Sequence, residues 1–538
     1  MLHGQYHNIK WSFSDGILTI SGKGPMPDWD TSHGWQPALS PAITPWYEAG
    51  IRLKIEQVII EEGITTVGIQ AFDRCMNLKK VMLADTVRVI CASAFLRCKS
   101  LSEIHISNSV THIRECAFCG CEVLKEITLP DKLAVLEDAF PQTGIIKVNI
   151  TNGVRRIMSD TFYGCEQLKE IIIPSSVKEI NDGFCECPNL ERVSVSSKNK
   201  HFVMVDGVLF DKDMTRLLLY PACKPERDYI IPSTVTEIDE CAFHNCRNLT
   251  SVFIPENTRF KDNSVFFGCE VLENITVSDQ NKIYKSVNGV LFSKDGKTLI
   301  QYPQGRNGAY KIPDSVETIS HEAFYKCNGL TELYIQKNIN EIHCFYCTSL
   351  HKIDVAPENT SFVSVDGVLY SKDMSTLLIY PSGKTEEHFD MPDSVTTVDA
   401  AFDEDCKLKS IHIGKSFDIH TPHNSLCRLC QLENIDVAED NKYYTSHNGI
   451  MYSKNMDMLV VYPSGRKDSH YDIPETVTSC AIGVFNRAKY IKSFETSNNR
   501  NFVFKNGTLW NTTIPFVHWD KDDDMAQDWR LWNIEQGK

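Results

Sequence analysis

The sequence predicts a β-rich solenoid, a fold in which short repeats stack along one axis and share one core. Aromatic anchors recur every 22 or 23 residues in the first part of the chain, at Phe72, Phe95, Phe118, Phe140, Phe162 and Phe184. Each period contains a segment of alternating apolar and polar residues, which is typical of a strand with one buried face. A longer polar and aromatic segment is present in four near copies. The short period lies in the range of leucine-rich repeats, about 20–29 residues.

Each short repeat follows the pattern A-F-x-x-C-x-x-L-x-x-I-x-I-P-x-x-V-x-x-I. In the segment LKEITLP, Ile127 and Leu129 alternate with polar residues, and Val177 and Ile180 form a second short apolar segment in a later repeat. The A-F-x-x-C turn is expected to place Phe and Cys in the core. Because one such unit cannot bury its own hydrophobic face, stacked units are expected to form a right-handed, elongated and curved leucine-rich-repeat solenoid.

The longer segment, FVMVDGVLFDKDMTRLLLYPACK in its first copy, predicts an inserted three-stranded β-meander. The four copies begin at Phe202, Tyr284, Phe362 and Tyr444, and a weaker fifth begins at Phe502. Each of the four contains Asp-Gly or Asn-Gly, which favours a tight hairpin turn. A second polar turn follows, and the last strand ends in Tyr-Pro, where proline cannot pair further. No nucleophile–base pair or glycine-rich phosphate loop recurs in the copies.

Four regions follow from these patterns. The last of them contains WDKDDDM, which resembles a calcium loop, but Met525 and Leu531 stand where such a loop needs Gly and Glu, so a solvated acidic tail is expected. The predicted regions are a β-rich N-terminal cap at 1–54, regular repeats at 55–198, repeats with meander inserts at 199–497, and an aromatic, acidic C-terminal segment at 498–538.

Composition and charge exclude several classes of function. Hydrophobic residues make up 42% and charged residues 23% of the 538 residues, which is typical of a globular chain rather than a disordered one. The net charge of −15 argues against nucleic acid and anionic membranes as partners, since both need a basic surface. No stretch approaches the roughly 20 apolar residues of a spanning helix. The start, MLHGQYHNIKWSF, does not read as a secretory signal.

The 20 cysteines are expected to pack rather than to form a disulfide framework. Neighbouring repeats align their cysteines in one row, where a small, weakly polar side chain suits a tight turn. Three Cys-x-x-Cys pairs, from Cys116, Cys344 and Cys427, have metal-ligand spacing, but each lacks further converging ligands. No metal or cofactor is therefore expected. The row consists of Cys75, Cys98, Cys121, Cys165, Cys187, Cys246, Cys269 and Cys327.

The repeat and its inserts together resemble the BspA-type leucine-rich-repeat family. The motif G-V-L-(F/Y)-(S/D)-K-D…YP belongs to this resemblance, as does the N-terminal pair WSFSDGILTISGKGPMPDWD and PWYEAGIRLKIEQVIIEEGITTVG. The resemblance covers roughly residues 10–510. It implies a surface or secreted protein of a bacterium or protist, with a role in adhesion and with host extracellular-matrix or receptor proteins as partners.

We expect a non-enzymatic monomer that recognises proteins through the exposed face of its sheet. Apolar and aromatic residues at outward strand positions are typical interface anchors. An intracellular scaffold of the same fold is the alternative. An enzyme would need an activated thiol among the cysteines outside the row, such as Cys91, Cys223 and Cys480. The candidate binding residues are Met82, His105, Ile172, Phe253, Tyr334 and His412.

Overall fold

A computed structural model describes residues 1–29, 44–343, 346–399, 401–418, 425–481, 484–485, 487–505, 508–511 and 517–520. In these residues the backbone consists almost entirely of short strands joined by turns. Contacts divide the chain into two units, Met1–Lys294 and Asp295–Lys538. Most of the predicted acidic tail, the segment 30–43 of the predicted cap, and Cys344 lie outside the described residues.

Unit 1 contains two sets of parallel strands, a first ladder at the L-x-x-I-x-I positions of the repeat and a second ladder at the V-x-x-I positions. The first ladder comprises Ile17–Gly22, Gln57–Ile60, Lys80–Leu83, Glu103–His105, Lys147–Asn149, Glu170–Ile173, Arg192–Val195, Asp228–Ile230, Ser251–Ile254 and Asn274–Val277. The second ladder comprises Gly24–Pro25, Ile64–Val67, Val89–Ile90, His112–Ile113, Val135–Leu136, Arg156–Ile157, Glu179–Ile180, Glu237–Ile238 and Arg259–Phe260.

The remaining elements of unit 1 belong to the cap and to the meanders. The cap strands Leu2–Tyr6 and Ile9–Ser14 pair antiparallel with each other and extend the first ladder beyond Ile17–Gly22. A short α-helix, Pro45–Glu48, and a 3₁₀ turn, Arg52–Lys54, follow in the chain. The meander strands of unit 1 are Phe202–Val205, Val208–Asp211, Arg216–Leu219, Tyr284–Val287 and Val290–Ser293.

Unit 2 repeats this plan with more meanders. Its first ladder comprises Gly308–Lys311, Leu330–Ile335, Lys352–Val355, His388–Asp390, Ser410–Ile413, Asn434–Val437, His470–Asp472 and Ser493–Glu495. Its second ladder comprises Thr318–Ile319, Thr397–Val398 and Ser479–Cys480. Its meander strands are Thr298–Gln301, Phe362–Val365, Val368–Ser371, Thr376–Ile379, Tyr444–His447, Ile450–Ser453, Met458–Val461, Phe502–Lys505, Thr508–Asn511 and Val517–Asp520, and a 3₁₀ turn spans Ser425–Arg428.

Successive turns hydrogen-bond to each other in register, which confirms the predicted solenoid. Lys80 lies opposite Glu103 in the first ladder, one 23-residue period later. A third line of bonds runs along the A-F corner, where the Phe95 N–H donates to the Ala117 carbonyl at 2.9 Å. The backbone N–H and C=O groups of each turn thus form hydrogen bonds with the turns before and after it. A single repeat would leave these groups unpaired, so the repeats are stable only as a stack.

The Phe anchors form one stacked column in unit 1. Neighbouring rings from Phe72 to Phe184 lie 5.3 to 6.1 Å apart between centroids and are nearly parallel. Trp46 of the short helix stacks on Phe72 at 5.3 Å and begins the column. The Trp46 indole N–H also donates to the Ala71 carbonyl at 2.9 Å, so its polar edge is satisfied in the core.

The cysteines of the row are packed in the core, as predicted, and those from Cys75 to Cys187 belong to the same core cluster as this column. These cysteines are buried and free. Most of their thiols donate to the carbonyl of the anchor residue in the preceding turn, which is Phe72 for Cys98 at 3.1 Å, Phe95 for Cys121 at 3.3 Å and Tyr220 for Cys246 at 3.8 Å. Cysteine is thus small enough for the corner and supplies a weak donor to a buried carbonyl.

Two kinds of turn use left-handed backbone. The residue before the row cysteine has positive φ, as at Arg97 (56°) and Gly120 (72°), so glycine is favoured at some of these corners. The Asp-Gly and Asn-Gly hairpins have positive φ at both central residues, for example 48° at Asp206 and 76° at Gly207. This is the predicted tight hairpin turn.

The meanders are confirmed, and each supplies most of one longer turn. In the first copy the strands pair antiparallel, and the third strand joins the second ladder with Leu217 opposite Ile238. The Tyr220 N–H then donates to the Ala242 carbonyl at 2.8 Å, which is the bond made by the Phe anchors. Tyr220 also lies 5.3 Å from Phe243. Tyr220 therefore takes the anchor position of a turn that is 36 residues from Phe184.

A buried asparagine fixes the entry to each meander. Asn359 is 1% exposed, and its Nδ2 donates to the carbonyls of Gln336 and Ile339 in the preceding turn at 2.8 and 2.9 Å. Its Oδ1 accepts from the N–H groups of Ser361 and Phe362. The sequence N-x-x-(F/Y) marks the position in every copy, but the sequence reasoning did not use it. The equivalent residues are Asn199, Asn281, Asn441 and Asn499.

Candidate functional site

The outward-facing side chains of the first ladder form a regular row on each unit. We define the outward row as the solvent-facing residues of the first ladder that lie directly opposite one another in successive paired strands. None of its members is buried. In unit 1 it comprises Thr19, Ile59, Met82, His105, Asn149, Ile172, Ser194, Ile230, Phe253 and Thr276. In unit 2 it comprises Lys311, Tyr334, Asp354, Asp390, His412, Asp436, Asp472 and Glu495.

The structure places all six candidate binding residues on the outward row, but it brings only two of them together. Met82 lies directly opposite His105 in neighbouring strands. Ile172 is half-buried in a separate sheet of unit 1. Phe253 belongs to a third sheet, and Tyr334 and His412 lie in unit 2. The candidates therefore divide among several local surfaces.

The most exposed apolar contact on the row was missed from the sequence. Ile230 is 73% exposed and lies directly opposite Phe253, which is 37% exposed. We refer to Ile230 and Phe253 as the apolar pair. Ile230 follows a meander in the sequence, and its strand was not recognised there. The segment YIIPSTV matches the I-x-I-P-x-x-V part of the repeat with Tyr229 in place of the first isoleucine, and this match would have revealed the strand.

Charged side chains near the row are largely paired with each other. Lys80 Nζ lies 2.6 Å from Glu103 Oε1, and Lys147 Nζ lies 2.9 Å from Glu170 Oε2. The hydrogen bond from Lys147 lowers the pKa of Glu170. Such exposed pairs contribute little to stability and keep the charges locally balanced.

Tyr334 is less available than its sequence position suggested. Lys311 of the neighbouring strand places its Nζ 5.2 Å from the centre of the Tyr334 ring. This cation–π contact covers part of the ring face. Phe253 has no cation–π partner among the contacts that the described residues make.

Unit 2 carries two Ser–His–Asp contacts that the sequence reasoning did not foresee. His388 Nδ1 lies 2.7 Å from Ser410 Oγ, and its Nε2 lies 3.0 Å from Asp390 Oδ1. His470 makes the same contacts with Ser493 and Asp472, at 2.8 Å each. The motif His-(Phe/Tyr)-Asp is the sequence signal for both. The His and Asp side chains of both groups are exposed on the sheet surface, and ion pairs in such positions contribute little to stability.

The thiols considered for catalysis are not activated. Burial raises the pKa of Cys91 to about 11 and that of Cys480 to about 12, and it also raises the pKa of Cys223. Each thiol is therefore protonated at neutral pH, whereas a nucleophilic cysteine needs a lowered pKa.

One group of potential metal ligands occurs among the described residues, and it differs from the Cys-x-x-Cys pairs. Cys185 and Cys241 form a disulfide, and a ring nitrogen of His244 lies within 4.8 Å of both sulfurs. The described part of the chain contains no helix long and apolar enough to cross a bilayer.

Several solved structures resemble this chain. A leucine-rich cell surface protein of Faecalibacterium prausnitzii is 24% identical, over 66% of this chain and 95% of that one, with a TM-score of 0.48. A leucine-rich repeat protein of Eubacterium ventriosum is 23% identical, over 83% and 98%, with a TM-score of 0.34. The pneumococcal vaccine antigen PcpA is 17% identical, over 92% and 98%, with a TM-score of 0.31.

Comparison with curated proteins finds no match. The model of the BspA-type leucine-rich-repeat region, in six copies, matches residues 51–139, 136–204, 220–295 and 308–375, which is more than half of the chain. These matches include both the regular repeats and meander-bearing turns. The chain belongs to the BspA-type leucine-rich-repeat family.

Proposed function

We propose that this chain is a non-enzymatic, monomeric recognition protein that binds other proteins through the outward row, with the apolar pair as its main contact in unit 1. The observation that carries the proposal is the 73% exposure of Ile230 directly opposite the exposed Phe253. A single exposed apolar residue is ordinary, but two adjacent ones on a rigid sheet form a compact hydrophobic contact.

The surroundings of the apolar pair suit a protein partner better than a small substrate. Residues in register on neighbouring strands are about 4.8 Å apart, so the pair and Thr276 present a flat, ordered surface. Val287, on the hairpin that follows, is 44% exposed and adds apolar area near this edge. Flat surfaces with central apolar residues and a polar rim are typical of protein–protein interfaces.

We propose further that the chain acts at a cell surface as an adhesin or host-interaction protein. Family membership supports this role, and the net charge of −15 supports proteins rather than nucleic acid as partners. The many free, buried cysteines favour the alternative, an intracellular scaffold of the same fold, because reducing compartments keep thiols free.

The Ile230→Ser/Phe253→Ser variant tests the binding surface. We expect about tenfold or greater loss of affinity for immobilised fibronectin, laminin or collagen, whichever the parent protein binds, because apolar anchors carry much of an interface's free energy. Melting temperature should stay nearly unchanged, since both side chains are exposed. The matched control is Val271→Ser, which removes a 38% exposed apolar side chain outside the outward row.

Unchanged affinity in the double variant would remove the apolar pair from the proposal. Failure of the parent chain to bind any of these proteins would reject the host-matrix role. Protease treatment of intact cells of the source organism then separates the two locations. Released peptides of this chain support a surface protein, and full protection of the chain supports the scaffold.

A further inference from the structure

A corner of unit 1 is short, and this brings two non-consecutive turns into contact. Ile238 of the second ladder precedes its anchor Phe243 by five residues, whereas Leu217, which lies opposite Ile238, precedes Tyr220 by only three. The missing corner residues let the turn anchored by Phe184 contact the turn anchored by Phe243. Arg247 Nη1, in the turn of Phe243, donates to Asn189 Oδ1, in the turn of Phe184, at 3.2 Å across this gap, 58 residues apart in sequence.

Two cysteines meet in the same gap. Cys185 follows the anchor Phe184, Cys241 precedes the anchor Phe243, and their Cα atoms are 5.3 Å apart in the disulfide. A ring nitrogen of His244 lies within 4.8 Å of both sulfurs. Two cysteines and one histidine are a common donor set for zinc, whose ligands surround one ion at about 2.0–2.3 Å.

The orientation of His244 leaves one ring nitrogen directed at this group. Its Nε2 lies 3.1 Å from the Ser264 carbonyl, which can only accept, so Nε2 carries a hydrogen and, in the neutral imidazole, Nδ1 carries the lone pair. Nδ1 is buried and has no hydrogen-bond partner. Glu186 Oε1 lies 3.6 Å from Nδ1.

When the imidazole is neutral, Nδ1 and the Glu186 carboxylate are two electron-pair donors that face each other, and a cation between them, either Zn²⁺ or a proton on Nδ1, makes the contact favourable. The Glu186 carboxylate is held in place because its Oε2 accepts from Asn245 Nδ2 at 3.1 Å. The carbonyl that binds Nε2 is the kind of outer contact that fixes the tautomer of a metal-binding histidine. Thiolate and imidazole donors favour zinc over calcium or magnesium.

We propose that Cys185, Cys241 and His244 form a redox-controlled zinc site. In the reduced chain the two thiolates and His244 Nδ1 bind one Zn²⁺, and Glu186 supplies the fourth ligand. In the oxidised chain the disulfide replaces the ion. Either state links the turn of Phe184 to the turn of Phe243 across the short corner.

The interconversion is a thiol–disulfide exchange coupled to metal binding. A dithiol reductant transfers two electrons and two protons to the Cys185–Cys241 disulfide, becomes a disulfide itself and leaves two thiols. Zn²⁺ then displaces both thiol protons. In the reverse direction a small-molecule disulfide takes two electrons from the thiolates, is released as two thiols after protonation, and Zn²⁺ leaves.

The full chain tests this proposal with zinc chloride as the probe. After reduction, zinc loading and dialysis under anaerobic conditions, the parent protein should retain about one zinc per chain by elemental analysis. His244→Gln and Cys185→Ser/Cys241→Ser should retain none. The oxidised parent should also hold no zinc and, when denatured, should show two fewer alkylated thiols than its 20 cysteines.

The variants have internal controls. His244→Gln keeps both cysteines, so its oxidised form should show the same two protected thiols and the same melting temperature as the parent, which separates loss of zinc from loss of fold. Cys427→Ser changes a cysteine that follows an anchor position in unit 2 and should keep the zinc. Zinc retained in His244→Gln, or absent from the reduced parent, overturns the proposal.

Discussion

Asp160 is a carboxylate at a corner whose raised pKa makes stability depend on pH. It is half-buried, and burial raises its pKa to about 6, with the negative charges of Asp138 and Glu115 acting in the same direction. The pKa values of Asp138 and Glu115 are raised as well, again mainly by burial. Among the contacts described, no cation lies against these groups. Ionisation of these carboxyls therefore lowers the free energy of unfolding.

The Asp160→Asn variant should be more stable than the parent at pH 7.5. A carboxyl whose folded pKa is about 6 binds its proton more tightly when folded than when unfolded, where its pKa is 3.8. The free energy of unfolding therefore falls as pH rises from about 4 to about 6 and changes little above 6. After allowance for solvent screening of a half-buried group, we expect a gain of about 1 to 2 kcal/mol at pH 7.5.

Urea unfolding at pH 4.2 and pH 7.5 measures this effect. The gain should nearly vanish at pH 4.2, because the parent carboxyl is then protonated when folded. Asp131→Asn, at an exposed position of a neighbouring turn, is the matched control and should change little at either pH. An equal gain at both values, or a loss at pH 7.5, would show that repulsion at the corner is not the cause.

At the scale of one element, the meander depends on its buried asparagine. Asn359 makes four hydrogen bonds, two to the carbonyls of the preceding turn and two from the backbone of its own meander. Asparagine is the short side chain that carries both donors and an acceptor. At the start of a meander the backbone leaves the ladder, and its buried N–H and C=O groups need the asparagine side chain as a hydrogen-bond partner.

The Asn359→Ala variant should loosen the meander that begins at Phe362. Removing the amide leaves buried backbone groups without partners, which costs about 1–3 kcal/mol for each one that water cannot reach. Hydrogen exchange should rise first in Phe362–Val365 and Val368–Ser371. Asn338→Ala is the control, since exposed Asn338 makes one bond, to the Asp314 carbonyl. Equal exchange in the two variants would contradict the anchoring role.

The elements that the sequence predicts best are those in which one local pattern fixes one local structure. The Phe column and the row of cysteines repeat at a constant interval, and the Asp-Gly turn needs only two residues. Tyr220 was not recognised as an anchor because it follows leucine rather than alanine and ends the meander motif before a proline. Ile230 was missed because its strand follows a meander and has Tyr229 where the repeat has isoleucine. The Cys185–Cys241 bond was missed because it depends on how the first meander shortens a corner, which no periodicity expresses.

At the scale of the molecule, the repeats of unit 1 between Phe72 and Phe184 form a one-dimensional array. Each anchor ring stacks on the rings before and after it, and ladder strands such as Lys80–Leu83 and Glu103–His105 pair one period apart. In such an array, stability is close to a sum of repeat and neighbour terms, so a complete repeat can be removed without changing the environment of the others. Phe95 and Phe118 are 23 residues apart, and the corners that follow them have the same shape.

Deletion of residues 96–118 should therefore give a folded protein. It joins Phe95 to Cys119, which restores the sequence A-F-C-G-C at the corner, and it moves every later residue by one complete period. Deletion of 96–107, about half a period, instead places polar residues at core positions and should unfold the regular repeats. Circular dichroism and thermal melting distinguish the two. The full-period deletion should keep the circular dichroism spectrum of β-strands, with a melting temperature lower by about 2–4 °C for each kcal/mol of stability lost. A similar loss of structure in both variants would mean that the repeats are not interchangeable.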